Sequence, residues 1–252
     1  MNQKEKLAQL AQAFDTAKRI AVLTGAGIST ASGIPDFRSR GGLYEGRLRV
    51  EAILSETYFH HKPKSFWTYF KEIFGFHALQ QYEPNGGHLF LRELELEGKD
   101  VTIVTQNVDG LHRKAGSTRV LEAHGTLNSA HCPKCGAVYG LEHLLGEEVP
   151  RCERDHFILK PDVVLFEGRV RFIEEAFAAS DEADLFLALG SSLKVYPVNE
   201  LPRYARRSRN ADLAIINREA TEMDSLFDIV IHGDIVHTFD QIRAWRRGDK
   251  PQ

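Results

Sequence analysis

The stretch IAVLTGAGISTASGIPDFR, residues 20–38, decides the reading of this chain: an apolar run enters a glycine turn and then a loop carrying Asp36, Phe37 and Arg38. That order suits a dinucleotide pyrophosphate. Gly25 and Gly27 allow a tight turn and close backbone approach, and a helix expected after them would turn its free N–H groups towards the phosphates. The spacing departs from the dehydrogenase fingerprint G-x-G-x-x-G, which needs glycine at position 30, where the chain has Thr30; the next glycine is Gly33. Nor does a second strand ending in an acid follow. The loop therefore reads as a nucleotide site not built for hydride transfer.

Working outward, apolar runs bounded by turn residues occur at 20–25, 101–107, 163–166, 185–190, 213–217 and 229–233. Several are apolar throughout, as strands buried on both faces of a parallel sheet should be. Helical patterns lie between them, at 88–98 and 171–183, so the alternation predicts an α/β fold with a doubly wound parallel sheet. Two segments break it. Residues 40–85 gather aromatics at near-helical spacing, and residues 127–160 hold all three cysteines.

Composition narrows the class. With 252 residues, 42% of them apolar, the chain can bury a large core, and a net charge of −3 gives no support to nucleic-acid partners. The N-terminal segment MNQKEKLAQLAQAFDTAKRI reads as an amphipathic surface helix, and no run is long enough for a membrane span. Three cysteines cannot all pair internally, which favours a reducing cytoplasm.

The opening stretch resembles the sirtuins, whose motif reads GAGIS followed by GIPDFR. The resemblance continues through TQNVDGLH (105–112), His124-Gly125, Cys132-Pro-Lys-Cys135, Pro161-Asp-Val-Val164, Gly190-Ser-Ser-Leu193 and Ile216-Asn217, in family order and over nearly the whole chain. It implies a Rossmann-like domain of residues 1–39, 86–126 and 161–252. The smaller domain would combine a helical module (40–85) with a zinc ribbon (127–160), NAD and substrate meeting in the cleft between. The implied activity is NAD-dependent removal of acetyl or other apolar acyl groups from protein lysines, with nicotinamide and O-acyl-ADP-ribose as products.

Residue by residue, the resemblance assigns Gly25, Ala26, Gly27, Ser29, Thr30, Asp36, Phe37 and Arg38 to the cofactor. Gln106 would hold ribose and Asn107 would help position the reacting face. Val108 and Asp109 would receive the nicotinamide carboxamide. Gly190, Ser191 and Ser192 close one apolar strand with small hydroxyl residues; Asn217 and Arg218 end another at the adenosine ribose, and Ile235 would pack near adenine. His124 would be the general base, its near-neutral intrinsic pKa suiting proton transfer. The residues themselves also allow plainer readings: Asn107 and Asp109 as turn formers, Ile235 as core, and the arginines at 203, 206, 207 and 209 as a solvated face.

The acylated peptide would lie as an added strand between 163–168 and 192–200, touching Val163, Phe166 and Val195. Here the chain reads Phe166-Glu167-Gly168 where the usual sirtuin order is Phe-Gly-Glu. On the helical module, Phe70 and Ile73 fall where desuccinylating relatives carry Tyr and Arg, which implies an apolar acyl pocket. For zinc, Cys132, Cys135 and Cys152 supply three ligands and no fourth cysteine exists. Asp155 keeps the expected spacing; His156, the next residue, and a vestigial site of buried thiols remain alternatives. Protein ADP-ribosylation through the same cleft and a non-catalytic NAD-binding scaffold are the competing functions.

Overall fold

In the computed structural model, which describes residues 2–35, 50–207 and 211–248, six parallel strands form the main sheet. They are β1 (Arg19–Thr24), β2 (Asp100–Thr105), β3 (Val120–Glu122), β7 (Leu185–Leu189), β8 (Asp212–Asn217) and β9 (Ile229–His232), in the order β3-β2-β1-β7-β8-β9. The intervening numbers belong to a three-stranded antiparallel sheet: β4 (Gly125–His131), β5 (Val138–Gly140) and β6 (Lys160–Val163), in the order β5-β4-β6.

Burial on both faces explains the apolar composition of the main strands. Odd and even residues of β1 enter different cores: Ile20 and Val22 pack with helices Gln3–Thr16, Gly86–Leu96 and Ile235–Arg246, through Leu10, Phe90 and Phe239. On the other face, Ala21 and Leu23 pack with Ala176 of helix Ile173–Asp181 and with Leu201 and Ala205 of helix Leu201–Ala205. Helices on both faces make the sheet doubly wound, as the alternation predicts.

Two sequence expectations are corrected. The run 163–166 is not a strand of the parallel sheet: residues Lys160–Val163 pair antiparallel with β4, Val163 opposite Gly125, and the chain then leaves the small sheet, with Phe166 donating its N–H to Leu54 O. The sixth parallel strand is instead β3, too short and too little buried to announce itself. Nor does an α-helix follow the glycine turn; Ala26–Ile28 and Thr30–Ser32 are single 3-10 turns, so no long helix dipole stands behind it.

The aromatic segment and the cysteine segment share one core. Phe59, Phe66, Trp67, Phe70 and Phe76 pack with Leu127, Leu144, Cys152 and Leu159. The indole N–H of Trp67 donates to Leu159 O at 2.8 Å, and the Lys71 ammonium donates to Leu144 O and Glu147 O, so the helical and cysteine modules are joined by polar as well as apolar contacts. Phe70 and Ile73 lie inside this core, 0% and 3% exposed, rather than on a cleft wall. No helix among the described residues is long and apolar enough to cross a membrane.

Candidate functional site

The strand order reverses between β1 and β7, and a parallel sheet binds its ligands in the crevice beyond the carboxyl ends at such a point. Two glycine loops meet there. Gly27 donates its N–H to Gly190 O at 2.9 Å, and Gly25 donates to Leu189 O at 3.0 Å. A Cβ on Gly25 would stand 2.7 Å from Gly190 O, one on Gly27 2.6 Å from Gly190 Cα, and Gly190 itself has φ +59. No side chain fits between these loops, which is why glycine stands at all three positions.

A cleft of about 1020 Å³ opens at this crevice, large enough for a dinucleotide together with an extended side chain. Its walls bring together Gly25, Ala26, Gly27, Thr30, Gln106, Asn107, Val108, His124, Gly190, Ser191, Ser192, Asn217, Arg218 and Ile235. Val163, Phe166 and Val195 line it as well. Asp36, Phe37 and Arg38 lie outside the described residues. Ser29 and Asp109 do not reach the wall; they sit behind Asn107. Ile235 both lines the cleft and belongs to the core, so its two sequence readings describe one position.

Polar side chains knit the strand ends into a rigid floor. Gln106 Nε2 donates to Ser191 Oγ at 2.9 Å, and Asn107 Nδ2 donates to Gly25 O at 3.0 Å and to Ser29 Oγ at 3.2 Å. Ser29 Oγ in turn donates to Asp109 Oδ2 at 2.7 Å, while Asp109 Oδ1 accepts the N–H of Leu111. Burial raises the Asp109 carboxyl above the usual carboxylate value, opposed by these two hydrogen bonds.

His124 ends the loop after β3 and is followed by Gly125, whose φ of +79 and whose Cβ position, 1.9 Å from Asp162 O, admit only glycine. His124 Nδ1 lies 3.1 Å from Gln106 O. A carbonyl can only accept, so Nδ1 carries the proton and Nε2 the lone pair, with no protein partner for Nε2 among the described residues. Burial lowers the imidazole pKa, and the bond to Gln106 works in the opposite direction.

Behind the floor lies a buried pair that sequence reasoning missed. His112 Nε2 donates to Thr24 Oγ1 at 3.0 Å, Thr24 Oγ1 donates to Thr105 Oγ1 at 2.8 Å, and His88 stacks edge-on against His112 at 4.8 Å. Burial pushes His88 down to about 4 and His112 well below the ordinary histidine value. The cleft also uses Tyr196, 76% exposed, and Asp234, which pairs with Arg218 at 2.9 Å. His88 closes the stretch Asn85-Gly-Gly-His88 and His112 the stretch Gly110-Leu-His112, but neither marks a buried pair, and nothing periodic marks Tyr196.

Cys132, Cys135, Cys152 and Asp155 bring one ligand atom each to within 4.8 Å of one another. The Cys135 and Cys152 sulfurs are 3.6 Å apart, close to the edge of about 3.8 Å expected when tetrahedral zinc sits 2.3 Å from each thiolate. The donor set therefore fits zinc. His156, with φ +59, is not part of this group.

The Sir2 family model matches residues 25–197. The NAD-dependent protein deacetylase 2 of Geobacillus kaustophilus is 53% identical over 240 residues, covering 95% of this chain and 97% of its own. The NAD-dependent protein deacetylase of Bacillus subtilis is 50% identical over 227 residues, covering 87% and 92%. A structure of a Sir2–p53 peptide–NAD+ complex superposes with a TM-score of 0.82 at 33% identity, covering 98% of this chain and 99% of its own. Motif order, sheet topology, paired glycine loops and these relatives converge: the chain belongs to the Sir2 family.

Proposed function

We infer that this protein is an NAD-dependent protein-lysine deacetylase that removes acetyl or other apolar acyl groups and yields nicotinamide and O-acyl-ADP-ribose. The observation that carries the reading is His124: a cleft-lining imidazole whose Nδ1 is committed to Gln106 O, so that Nε2 is left as a base. NAD, when bound, supplies an activated ribose carbon and the adjacent ribose hydroxyls. The glycine loops at 25–27 and 190–192 would hold its phosphates, Asn217 and Arg218 its adenosine end, and Gln106 with Asn107 its nicotinamide ribose. His124 Nε2 would take a proton from a ribose hydroxyl, and the apolar wall of Val108, Val163 and Val195 would exclude water from the acyl chain.

Val108, on the cleft wall, would receive the nicotinamide carboxamide together with Asp109, which Ser29 holds directly behind Asn107. Zinc, when bound at Cys132, Cys135, Cys152 and Asp155, would supply a rigid cross-link for the small domain, away from the cleft. The thiols at these cysteines are unpaired, which supports a cytoplasmic location.

Mass spectrometry of the protein with NAD and a panel of acetyl, longer-chain and succinyl peptides tests the function. Acetyl-peptide turnover with O-acyl-ADP-ribose supports the reading. ADP-ribosylated protein without that product would replace it by transfer, and no turnover at all by a scaffold.

A further inference from the structure

Glu167 occupies a backbone conformation that side chains rarely adopt. Gly168 donates its N–H to Leu165 O at 2.9 Å, closing a four-residue turn in which Glu167, the third residue, has φ +76. A positive φ at that place is the mark of a type II turn, where glycine is preferred. The usual sirtuin order puts glycine there; this chain puts glutamate.

The side chain has a use for the position. Glu167 Oε2 accepts from Thr57 N at 3.1 Å and from Thr57 Oγ1 at 2.7 Å, on the first turn of helix Glu56–His61. Beside it, Phe166 donates its N–H to Leu54 O at 2.9 Å and accepts the N–H of Glu56 at 3.1 Å. The substrate-side loop is thus stitched to the helical module by two backbone bonds and one carboxylate, and Phe166, Glu167 and Gly168 all line the cleft.

We propose that Glu167 is a positioning residue that clamps the peptide-binding loop onto Thr57, so that the loop is held in its peptide-ready conformation before substrate arrives. This rests on the deacetylase reading, because it assigns the loop to an acylated peptide. If the clamp preorganises the loop, its loss lowers the fraction of protein competent to bind, and apparent peptide affinity falls by that fraction while the cofactor side is untouched.

Three variants separate clamp from turn. Thr57→Val removes the hydroxyl donor, Glu167→Gly removes the carboxylate while giving the turn its preferred residue, and the double variant tests whether they act as one unit. For an acetyl-lysine peptide, each single variant is expected to raise KM by about five- to tenfold, with KM for NAD and kcat within about twofold of the parent. The double variant should add little to Glu167→Gly, which already removes both bonds to Thr57. Trypsin cleavage after Arg169, measured without substrate or NAD, is expected to accelerate at least about threefold in all three variants. The cleavage experiment reads the clamp even if the parent turns over no acetyl peptide, an outcome that would sink the deacetylase reading instead. Unchanged peptide KM and unchanged cleavage in Thr57→Val and Glu167→Gly would overturn the proposal. So would kcat, both KM values and the melting temperature changing together, since that is the signature of a structural role.

Discussion

His124 Nδ1 lies 3.1 Å from the carbonyl oxygen of Gln106, so one hydrogen bond fixes both the tautomer of the histidine and the turn that follows β2. Replacing His124 by Ala removes the base and leaves the glycine loops in place. Turnover is expected to fall by about 10²–10⁴-fold, with NAD binding changed far less. Near-normal deacetylation by His124→Ala would refute the assignment.

Because burial lowers the His124 pKa, the basic form persists to lower pH than for an exposed histidine. The acid limb of kcat/KM is therefore expected to fall below the usual histidine value of 6.5. A profile whose acid limb lay above that value would contradict it.

The His88–His112 pair should make the fold acid-sensitive. Both folded pKa values lie below their unfolded values, so the unfolded chain binds more protons in the intervening window and stability falls as pH drops through it. For His88 the window runs from 6.5 to about 4. A displacement of that size is worth roughly 3 kcal/mol at about 1.4 kcal/mol per pH unit. Urea unfolding of His88→Gln across this range should show a shallower pH slope than the parent, with the remainder carried by His112. An identical slope would show that His88 does not contribute.

Strands buried on both faces were legible in the sequence because Ile20–Leu23 of β1 and all of β7 are apolar and buried, with Thr24 the one buried polar residue at the end of β1. β3 escaped because only Val120 of its three residues is buried. The run 163–166 misled because only Val163 belongs to the small sheet, while Leu165 packs into the core of the small module and Val164 and Phe166 line the cleft, which leaves the same apolar letters as a buried parallel strand. The cleft wall was readable from motifs that must sit at strand ends. Helical spacing alone did not place the acyl pocket, since Phe70 and Ile73 face the aromatic core while Leu54 and Phe74 line the cleft. The histidine pair was invisible because His88 and His112 come from different helices, Gly86–Leu96 and Leu111–Lys114, and the hydroxyl partner of His112, Thr24, from β1.

Gly190 carries two demands at once, φ +59 and a Cβ site 2.5 Å from Gly27 C. Gly190→Ala must push the two glycine loops apart. Stability is expected to drop by about 2–4 kcal/mol and NAD affinity by at least about tenfold. Denaturant unfolding and calorimetric titration with NAD would check both; a variant that kept its NAD affinity would place the phosphates elsewhere.

The last expectation concerns the metal. Asp155 Oδ1 lies 3.4 Å from Cys132 Sγ and also accepts the N–H of Phe157 at 3.1 Å, which fixes the carboxylate within reach of the three thiols. Zinc accepts carboxylate oxygen beside thiolate and closes at four ligands in structural sites. Protein purified without chelator should therefore contain about one zinc per chain. Asp155→Ala should lose much of it, whereas His156→Ala should retain it, because His156 stands outside the cluster. Cys132 and Cys152 lie in the core shared with Trp67 and Phe70, so metal loss should lower the melting temperature of the small module. The His124 side of the cleft would keep its geometry, and residual activity at low temperature should fall less than stability. Zinc lost from His156→Ala but kept by Asp155→Ala would reverse the ligand choice, and a native protein without stoichiometric zinc would leave three free thiols, those of Cys132 and Cys152 buried and that of Cys135 exposed, and no metal site.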